Sequence, residues 1–513
     1  MKKERNILLF SVLIMSLLFN SCNNTNENKI EQYPNIVLIL ADDMGYGDVQ
    51  AYNKASAIPT TNVNTLAEEG MKFTDAHSNS AVCSPTRYGI LPGRYAWRTS
   101  KKRGVLIPES PPWIQKNRLT IGKMLKKKNY NTGTVGKWHL GIEWNRNQEG
   151  EIDFNQPFIS GPTDLGFDYY HGVIASLDMV PYTFYENKTP VQPVTEHQQG
   201  QSFPGMIRPG PKASDFDHSK ALDQLTDKAV NYIKRQADQE NTFFLYFALT
   251  SPHLSISPAK RFQGVTGLGP YADFIAQTDW TVGQVLQALE EKGVEDNTLV
   301  LFTSDNGSYM HRIDADQKYP VENSLTRNSF KARTAGDGQQ DHASDATVNG
   351  YYPYVHQAND QWRGTKGDIW EAGYRVPFIV RWPEKIESNN KSSQTVSVTD
   401  IMATLGDMVD YSDETGQDSF SLLPILTGKS KIISRPPVVH QSFDGMFALR
   451  KGPWKMVFGN GSGGRQVPQG SPFTKPYQLF NLENDPQETI NVIDQYSDIA
   501  QEMTDMLDEI RRD

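Results

Sequence analysis

Two cysteines occur among 513 residues, and one of them, Cys83, opens the run Cys83-Ser84-Pro85-Thr86-Arg87 ahead of Leu91-Pro92-Gly93-Arg94. A disulfide needs a partner. The only other cysteine, Cys22, lies in an export-like N-terminal segment, so no intramolecular disulfide framework is left. Ser84-Pro85 predicts a helix start, with Ser84 capping and Pro85 in the first turn. A side chain at position 83 would then face the positive end of a helix, which favours a bound anion. Two further runs, Asp42-Asp43-Met44-Gly45-Tyr46-Gly47-Asp48 and Ser304-Asp305-Asn306-Gly307, supply a second kind of chemistry. Asp42, Asp43, Asp305 and Asn306 form an all-oxygen donor set that suits a hard cation such as calcium. Such a cation can polarise a hydroxyl nucleophile and an oxygen of an anionic substrate. Lys137 and His139 in 136–141, His253 in Ser251-Pro252-His253 and Lys366 in 364–367 add positive charge and proton carriers. Any one of these histidines or lysines alone is ordinarily structural or solvated. Their position along the chain makes them a set.

Each group stands at the end of an apolar run. Residues 35–40 lead into Asp42 and Asp43, and 131–135 into Lys137 and His139. Residues 243–247 lead into His253, and 298–302 into Asp305 and Asn306. A fifth run, 376–380, follows Lys366. Continuous rather than alternating apolar strands imply a sheet covered on both faces. Between them, Leu222, Leu225, Ala229 and Ile233, and then Val282, Val285, Leu286 and Leu289, recur at helical spacing. Alternating strands and helices predict an α/β fold with a large central, mostly parallel sheet sandwiched by helices. Ligands of such sheets bind beyond the carboxyl ends of the strands, so the polar clusters should converge on one edge. Beyond about residue 430 short β-rich runs and a last amphipathic helix predict a smaller C-terminal sheet-plus-helix domain. The polar stretch 330–361 is too long for a simple connection and reads as a functional loop.

The Cys-x-Pro-x-Arg run with its Gly93-Arg94 ending resembles the signature of the type I sulfatases, a branch of the alkaline phosphatase superfamily. The resemblance spans roughly residues 35–424 and is nearest to arylsulfatase and N-acetylgalactosamine-6-sulfatase types. It implies that Cys83 is oxidised after translation to formylglycine, whose hydrated aldehyde attacks the sulfur of a sulfate ester. One hydroxyl carries the sulfate and the other is deprotonated to expel it, which a serine could not do. The resemblance also implies one calcium ion at Asp42, Asp43, Asp305 and Asn306, with the modified Cys83 beside it. By motif, Arg87 holds the nucleophile's hydroxyl, Lys137 binds sulfate and His139 assists the second hydroxyl. His253 helps to protonate the leaving group, and Lys366 contacts the bridging or a terminal oxygen. Trp370-Glu371-Ala372-Gly373 departs from the family's more usual Glu-Gly-Gly. The implied partners are a sulfated carbohydrate and a formylglycine-generating or anaerobic maturation enzyme.

A formal charge of −9 argues against a nucleic-acid partner, although local basic groups can still hold an anion. Arg94, Arg98, Lys101, Lys102 and Arg103 form such a run, either a solvated face or a rim for a polyanion. Nearby, Tyr95, Trp97 and Trp113 offer sugar-stacking surfaces or core packing. Lys2, Lys3 and Arg5 precede a short apolar stretch, 7–19, and then Ser21-Cys22, which together read as a lipoprotein signal. The expected organisation is therefore a signal at 1–21, Cys22 lipidated, a tether at 22–33, a catalytic domain at 34–430 and the C-terminal unit at 431–513. The expected location is the periplasm or cell surface, with a lipid anchor in the outer membrane. Two rivals are a phosphomonoesterase or phosphodiesterase of the same superfamily, which would use Ser or Thr with a histidine-rich two-metal site, and a non-catalytic glycan-binding lipoprotein.

Overall fold

Every residue from Ile36 to Ala41 is fully buried, because the strand that carries them lies mid-sheet with side chains packed on both faces. In the computed structural model, which describes residues 33–201, 206–310, 312–314 and 354–512, this strand (β1, Asn35–Asp42) is one of four parallel neighbours. The others are β2 (Asn131–Lys137), β3 (Phe243–Pro252) and β4 (Thr298–Ser304). Their order across the sheet is β4-β1-β3-β2. Since all four run the same way, Asp42, Lys137, His253 and Asp305 arrive at one edge.

The full sheet has ten strands. On one side of β4 lie Phe378–Arg381, Met71–Phe73 and Asn390–Ser392; beyond β2 lie Tyr169–Val173 and a short hairpin. Phe378–Arg381 pairs antiparallel with β4, so it leaves the functional edge where the four parallel strands arrive at it. That reversal is why Lys366 precedes its strand in sequence while the other site residues follow theirs.

Helix α1 (Cys83–Ile90) follows the chain's return to that edge. Helices α2 (His218–Ala237) and α3 (Pro270–Glu291) cover one face. Leu222, Leu225, Ala229 and Ile233 of α2, with Val282, Val285 and Leu289 of α3, meet Val37, Ile39, Leu245 and Phe247 in one core. Asp217 caps α2 by accepting from the Ser219 N–H at 2.9 Å. On the opposite face Phe167 stacks on Phe244 and Tyr246.

Val438–Gln441, Phe447–Lys451, Trp454–Val457 and Gln478–Asn481 form the separate four-stranded antiparallel sheet in that order. Helix α4 (Ser497–Arg512) buries Ala500, Met503 and Leu507 against it. Tyr95 and Trp97 belong to this same core at 4% and 5% exposure, so they chiefly pack the protein's interior, with only an edge of Trp97 reaching a surface pocket. Pro34–Asp513 holds together as one compact unit. Among the described residues no helix is long and apolar enough to cross a membrane. The signal and Cys22 lie outside the described residues, as does most of 330–361. Only its end is described, beginning with Tyr354–Gln357, which pairs antiparallel with Arg312–Asp314.

The two-sided burial of the central strands gives a direct expectation. Leu245→Ala removes a fully buried side chain from β3 and should cost about 2–5 kcal/mol. Ile432→Ala, at a side chain 70% exposed, should stay within about 0.5 kcal/mol. Urea unfolding midpoints of the two variants check this, and equal shifts would contradict it.

Candidate active site

Cys83 is the first residue of α1 and is 1% exposed. Val82, not Ser84, is the helix's N-cap, and the Ser84 hydroxyl instead accepts from the Leu106 N–H at 3.1 Å. The cap expected at Ser84 is thus replaced by a tie from the helix's first turn to a distant loop. Burial pushes the Cys83 thiol up from its ordinary value, with Lys137 and Lys366 pulling the other way. A plain thiol here is therefore held protonated and is a poor nucleophile at neutral pH.

His139 is a close titratable neighbour, with Nδ1 3.4 Å from Cys83 Sγ. Its Nε2 lies 2.9 Å from the Leu106 carbonyl, which can only accept. Nε2 therefore carries the proton, and Nδ1 presents a lone pair to position 83. Burial, then the Lys137 charge, holds this imidazole well below its usual range, so it is neutral and keeps its lone pair at the atom that faces position 83. Its backbone sits at φ 55, where the chain doubles back from β2.

The three aspartates lie around Cys83, each against a cation. Lys137 Nζ donates to Asp42 Oδ2 at 2.7 Å, and Lys366 Nζ lies 2.7 Å from Asp43 Oδ1 and 2.8 Å from Oδ2. Arg87 donates through Nε and Nη2 to Asp305 Oδ2 at 3.0 and 2.8 Å, and through Nη1 to the Lys137 carbonyl at 3.1 Å. One turn past Cys83, its donors go to Asp305 and a backbone carbonyl, so it orients a carboxylate. His253 closes the ring, with Nε2 3.6 Å from Asp43 Oδ2 and Nδ1–H given to the Leu254 carbonyl. Burial and the Lys366 charge lower its pKa.

A hard cation fits this donor set. Asp42 Oδ1 and Asn306 Oδ1 are buried acceptors with no hydrogen-bond partner. Asn306 turns its Nδ2 to Asp43 Oδ1 at 2.7 Å, which leaves that carbonyl oxygen free for a ligand role. Oxygens of Asp42 and Asp305 and the Cys83 sulfur lie within 4.8 Å of one another. Among the described residues no such cluster contains more than one histidine, which is not the donor set of a histidine-rich two-metal site. The backbone here is drawn tight: a Cβ at Gly307 would lie 1.7 Å from the Ala372 carbonyl oxygen. Segment 371–373 therefore seals the loop that carries Asp305 and Asn306.

All eleven assignments made on Asp42, Asp43, Cys83, Arg87, Lys137, His139, His253, Asp305, Asn306 and Lys366 fall on residues that this edge brings together, since Cys83 was assigned twice. The Leu106 carbonyl was not foreseen, because a backbone oxygen has no residue-type signature. Nor were the supports of Lys366. Its neighbours Asp368 and Glu371 are held by the Arg465 and Gln466 N–H groups and by Glu488, Lys455 and Arg375.

A family model described as sulfatase matches residues 34–411, and the chain belongs to that family of sulfuric ester hydrolases. It is 32% identical over 540 residues to an N-acetylgalactosamine-6-O-sulfatase of Bacteroides thetaiotaomicron, covering 96% of this chain and 97% of the relative. Human arylsulfatase A is 27% identical over 481 residues, covering 90% and 83%. A solved Bacteroides thetaiotaomicron protein, described in the metabolism of multiple glycosaminoglycans, superposes with a TM-score of 0.77 at 31% identity, covering 94% of this chain and 100% of that one.

The charge arrangement predicts a pH-dependent cation effect. Burial and the adjacent Asp42 carboxylate push Asp305 up to about 7 despite Arg87. An acid whose folded pKa is raised contributes stability at low pH and loses it as pH rises through that value. Metal-stripped protein should therefore weaken between about pH 4 and 7 through this group. A divalent cation should offset the loss, because it replaces the proton there. Calcium added to chelator-treated protein should raise the melting temperature more at pH 8 than at pH 5. An equal or smaller rise at pH 8 would contradict the assignment.

Proposed function

We propose that this sulfatase removes sulfate from sulfated glycans, with formylglycine at position 83 and one calcium ion at Asp42, Asp43, Asp305 and Asn306. The observation that carries the reading is the position of His139 Nδ1, unprotonated and 3.4 Å from the Cys83 sulfur, amid three carboxylates and three cations. A thiol that burial keeps protonated makes little use of such surroundings. A hydrated aldehyde, which needs a base at one hydroxyl, does. The glycan reading rests on likeness to an N-acetylgalactosamine-6-O-sulfatase and to a protein of glycosaminoglycan metabolism.

Calcium and the aldehyde hydrate would supply a polarised hydroxyl nucleophile and a second hydroxyl through which sulfate is expelled. The chain's own residues do the rest. Lys137 and Lys366, which rest here on Asp42 and Asp43, bring positive charge to the sulfuryl oxygens. Arg87 keeps the Asp305 carboxylate turned inward. His139 takes a proton at Nδ1, with Nε2 anchored on Leu106. His253 acts from its imidazolium form, which the Asp43 carboxylate 3.6 Å from Nε2 favours: Nε2–H goes to the departing sugar oxygen and Nδ1–H stays on the Leu254 carbonyl, leaving a neutral ring. The N-terminal signal implies export by a lipid-anchored route, with maturation by a formylglycine-generating or anaerobic enzyme.

Two measurements test the chemistry. Peptide mass spectrometry of active protein should show oxygen in place of sulfur at residue 83, and full activity with unmodified Cys83 would refute the nucleophile. His253→Ala should lose about 10²–10⁴-fold in rate on a sugar sulfate, the usual worth of a general acid. The loss should be far smaller on an activated aryl sulfate, whose phenolate leaves without a proton. His139→Ala should impair both substrates. Equal losses on both for His253→Ala would refute its role as leaving-group acid.

A further inference from the structure

Away from the carboxylate ring, the segment that follows α1 and the end of α4 enclose a pocket of about 560 Å³. Arg94, Arg98, Lys102, Arg103, Arg511 and Arg512 line it against a single carboxylate, Asp444. Their charges are not all spent. Arg98 is paired with Asp418, at 2.8 Å, and Arg94 is fixed on Gln417. Lys102 gives one of its hydrogens to the Trp97 carbonyl. Arg103 and Arg512 make no ion pair among the described residues, and Arg511 lies over aromatic rings with only a 4.0 Å approach to Asp508. In a chain with a formal charge of −9 this is a local reversal of sign, which concentrates anions there.

The wall of this pocket is built for a ring. Phe473 is 41% exposed, and its backbone stands at φ 55, a region that a bulky side chain rarely adopts. Its N–H is pinned to the Phe458 carbonyl at 2.7 Å. Beneath it Phe447 packs at 5.6 Å between centroids, and the Arg511 guanidinium sits 4.7 Å from the Phe473 ring. A partly exposed aromatic ring with the Arg511 guanidinium against it, in a pocket lined by further arginines, suits a sugar that carries anionic substituents. The ring stacks, and arginine forks meet sulfate or carboxylate oxygens two at a time.

The pocket connects to the reacting centre through the backbone. Gly104 N–H donates to the Phe443 carbonyl, and Phe443 N–H donates to the carbonyl of Gly367, next to Lys366. Leu106 ties to Ser84 through its N–H and to His139 through its carbonyl. Three residues lie between Lys102 and Leu106, so their backbones are no more than about 14 Å apart. A sugar chain held at the centre by one sulfate would meet the pocket with a unit further along the chain.

We propose that this pocket is a second binding site for the substrate chain, taking anionic sugar units beyond the one being desulfated; it rests on the glycan reading above. The test combines binding and turnover, with chondroitin sulfate and carrageenan hexasaccharides, neutral chitohexaose and a short DNA duplex as probes. Arg103→Glu with Arg511→Glu should weaken binding of at least one sulfated hexasaccharide by about ten-fold or more, a loss of about 1.4 kcal/mol. Phe473→Ala should weaken it by a smaller factor. Neither change should alter kcat/KM on 4-nitrophenyl sulfate, which is too small to reach the pocket, by more than about two-fold. Unchanged hexasaccharide affinity in the charge-reversed protein would overturn the proposal. So would equal affinity for chitohexaose, tighter binding of the duplex, or no binding of either sulfated hexasaccharide. Failure of the glycan reading looks different: the unaltered protein would cleave 4-nitrophenyl sulfate yet release no sulfate from any glycan, and the pocket's role in substrate binding would fall with it.

Discussion

Three carboxylates and three cations share one dry pocket at the end of this sheet, and their balance governs everything around them. Asp42, Asp43 and Asp305 are each 0–1% exposed, as are Arg87 and Lys137, with Lys366 nearly so. A buried charge is costly unless it is paired, and each of these is paired at 2.7–2.8 Å. Without ligands, and above the pH at which Asp305 ionises, the set is neutral. A dication alone would leave it doubly positive, and a sulfuryl anion alone would leave it negative. Entered together, a dication and a sulfate ester's single negative charge leave only one positive charge, and inorganic sulfate cancels that too, so the site is arranged to take a cation and an anion as a pair. The lysines that neutralise the aspartates in one state become the sulfate's partners in the other.

The rest of the fold keeps that cluster in register. Parallel strands deliver Asp42, Lys137, His253 and Asp305 to one edge, and Gly136, at φ 107, lets β2 close on the Ala248 carbonyl, where a Cβ would lie 1.8 Å away. The small sheet has a part in this. Ile369 N–H donates to the Ser462 carbonyl, Asp368 accepts from the Arg465 N–H, and Glu488 accepts from the Glu371 N–H, so 366–373 is strapped down by residues far along the chain. Arg375 and Lys455 neutralise Glu371 from two sides. The C-terminal region therefore fixes the height of Lys366 over Asp43 as well as closing the surface.

Local signals carried the parts that are local. Unbroken apolar runs such as 243–247 announced central strands, and the polar residues at their ends announced one converging edge. The spacing of Leu222, Leu225, Ala229 and Ile233 announced the helix that covers them. What the sequence could not show was set by contacts between distant segments. The antiparallel entry of Phe378–Arg381 depends on which neighbour it pairs with. The tautomer of His139 depends on a carbonyl 33 residues away, at Leu106. Where the Arg87 donors point depends on Asp305, whose Oδ2 accepts from both its Nε and Nη2. Tyr95 and Trp97 look like sugar platforms in sequence, yet the C-terminal helix buries them, and the exposed ring proves to be Phe473.

The account stands or falls on the mutual dependence of cation and anion. Isothermal titration of inorganic sulfate into Cys83→Ala protein, with calcium and after its removal, measures that dependence without turnover. Charge balance predicts that calcium tightens sulfate binding by about ten-fold or more, and that sulfate tightens calcium binding by the same factor, as linkage requires. Sulfate affinity indifferent to calcium would contradict it, because the lysines would then be free for an anion whether or not the carboxylates had another partner.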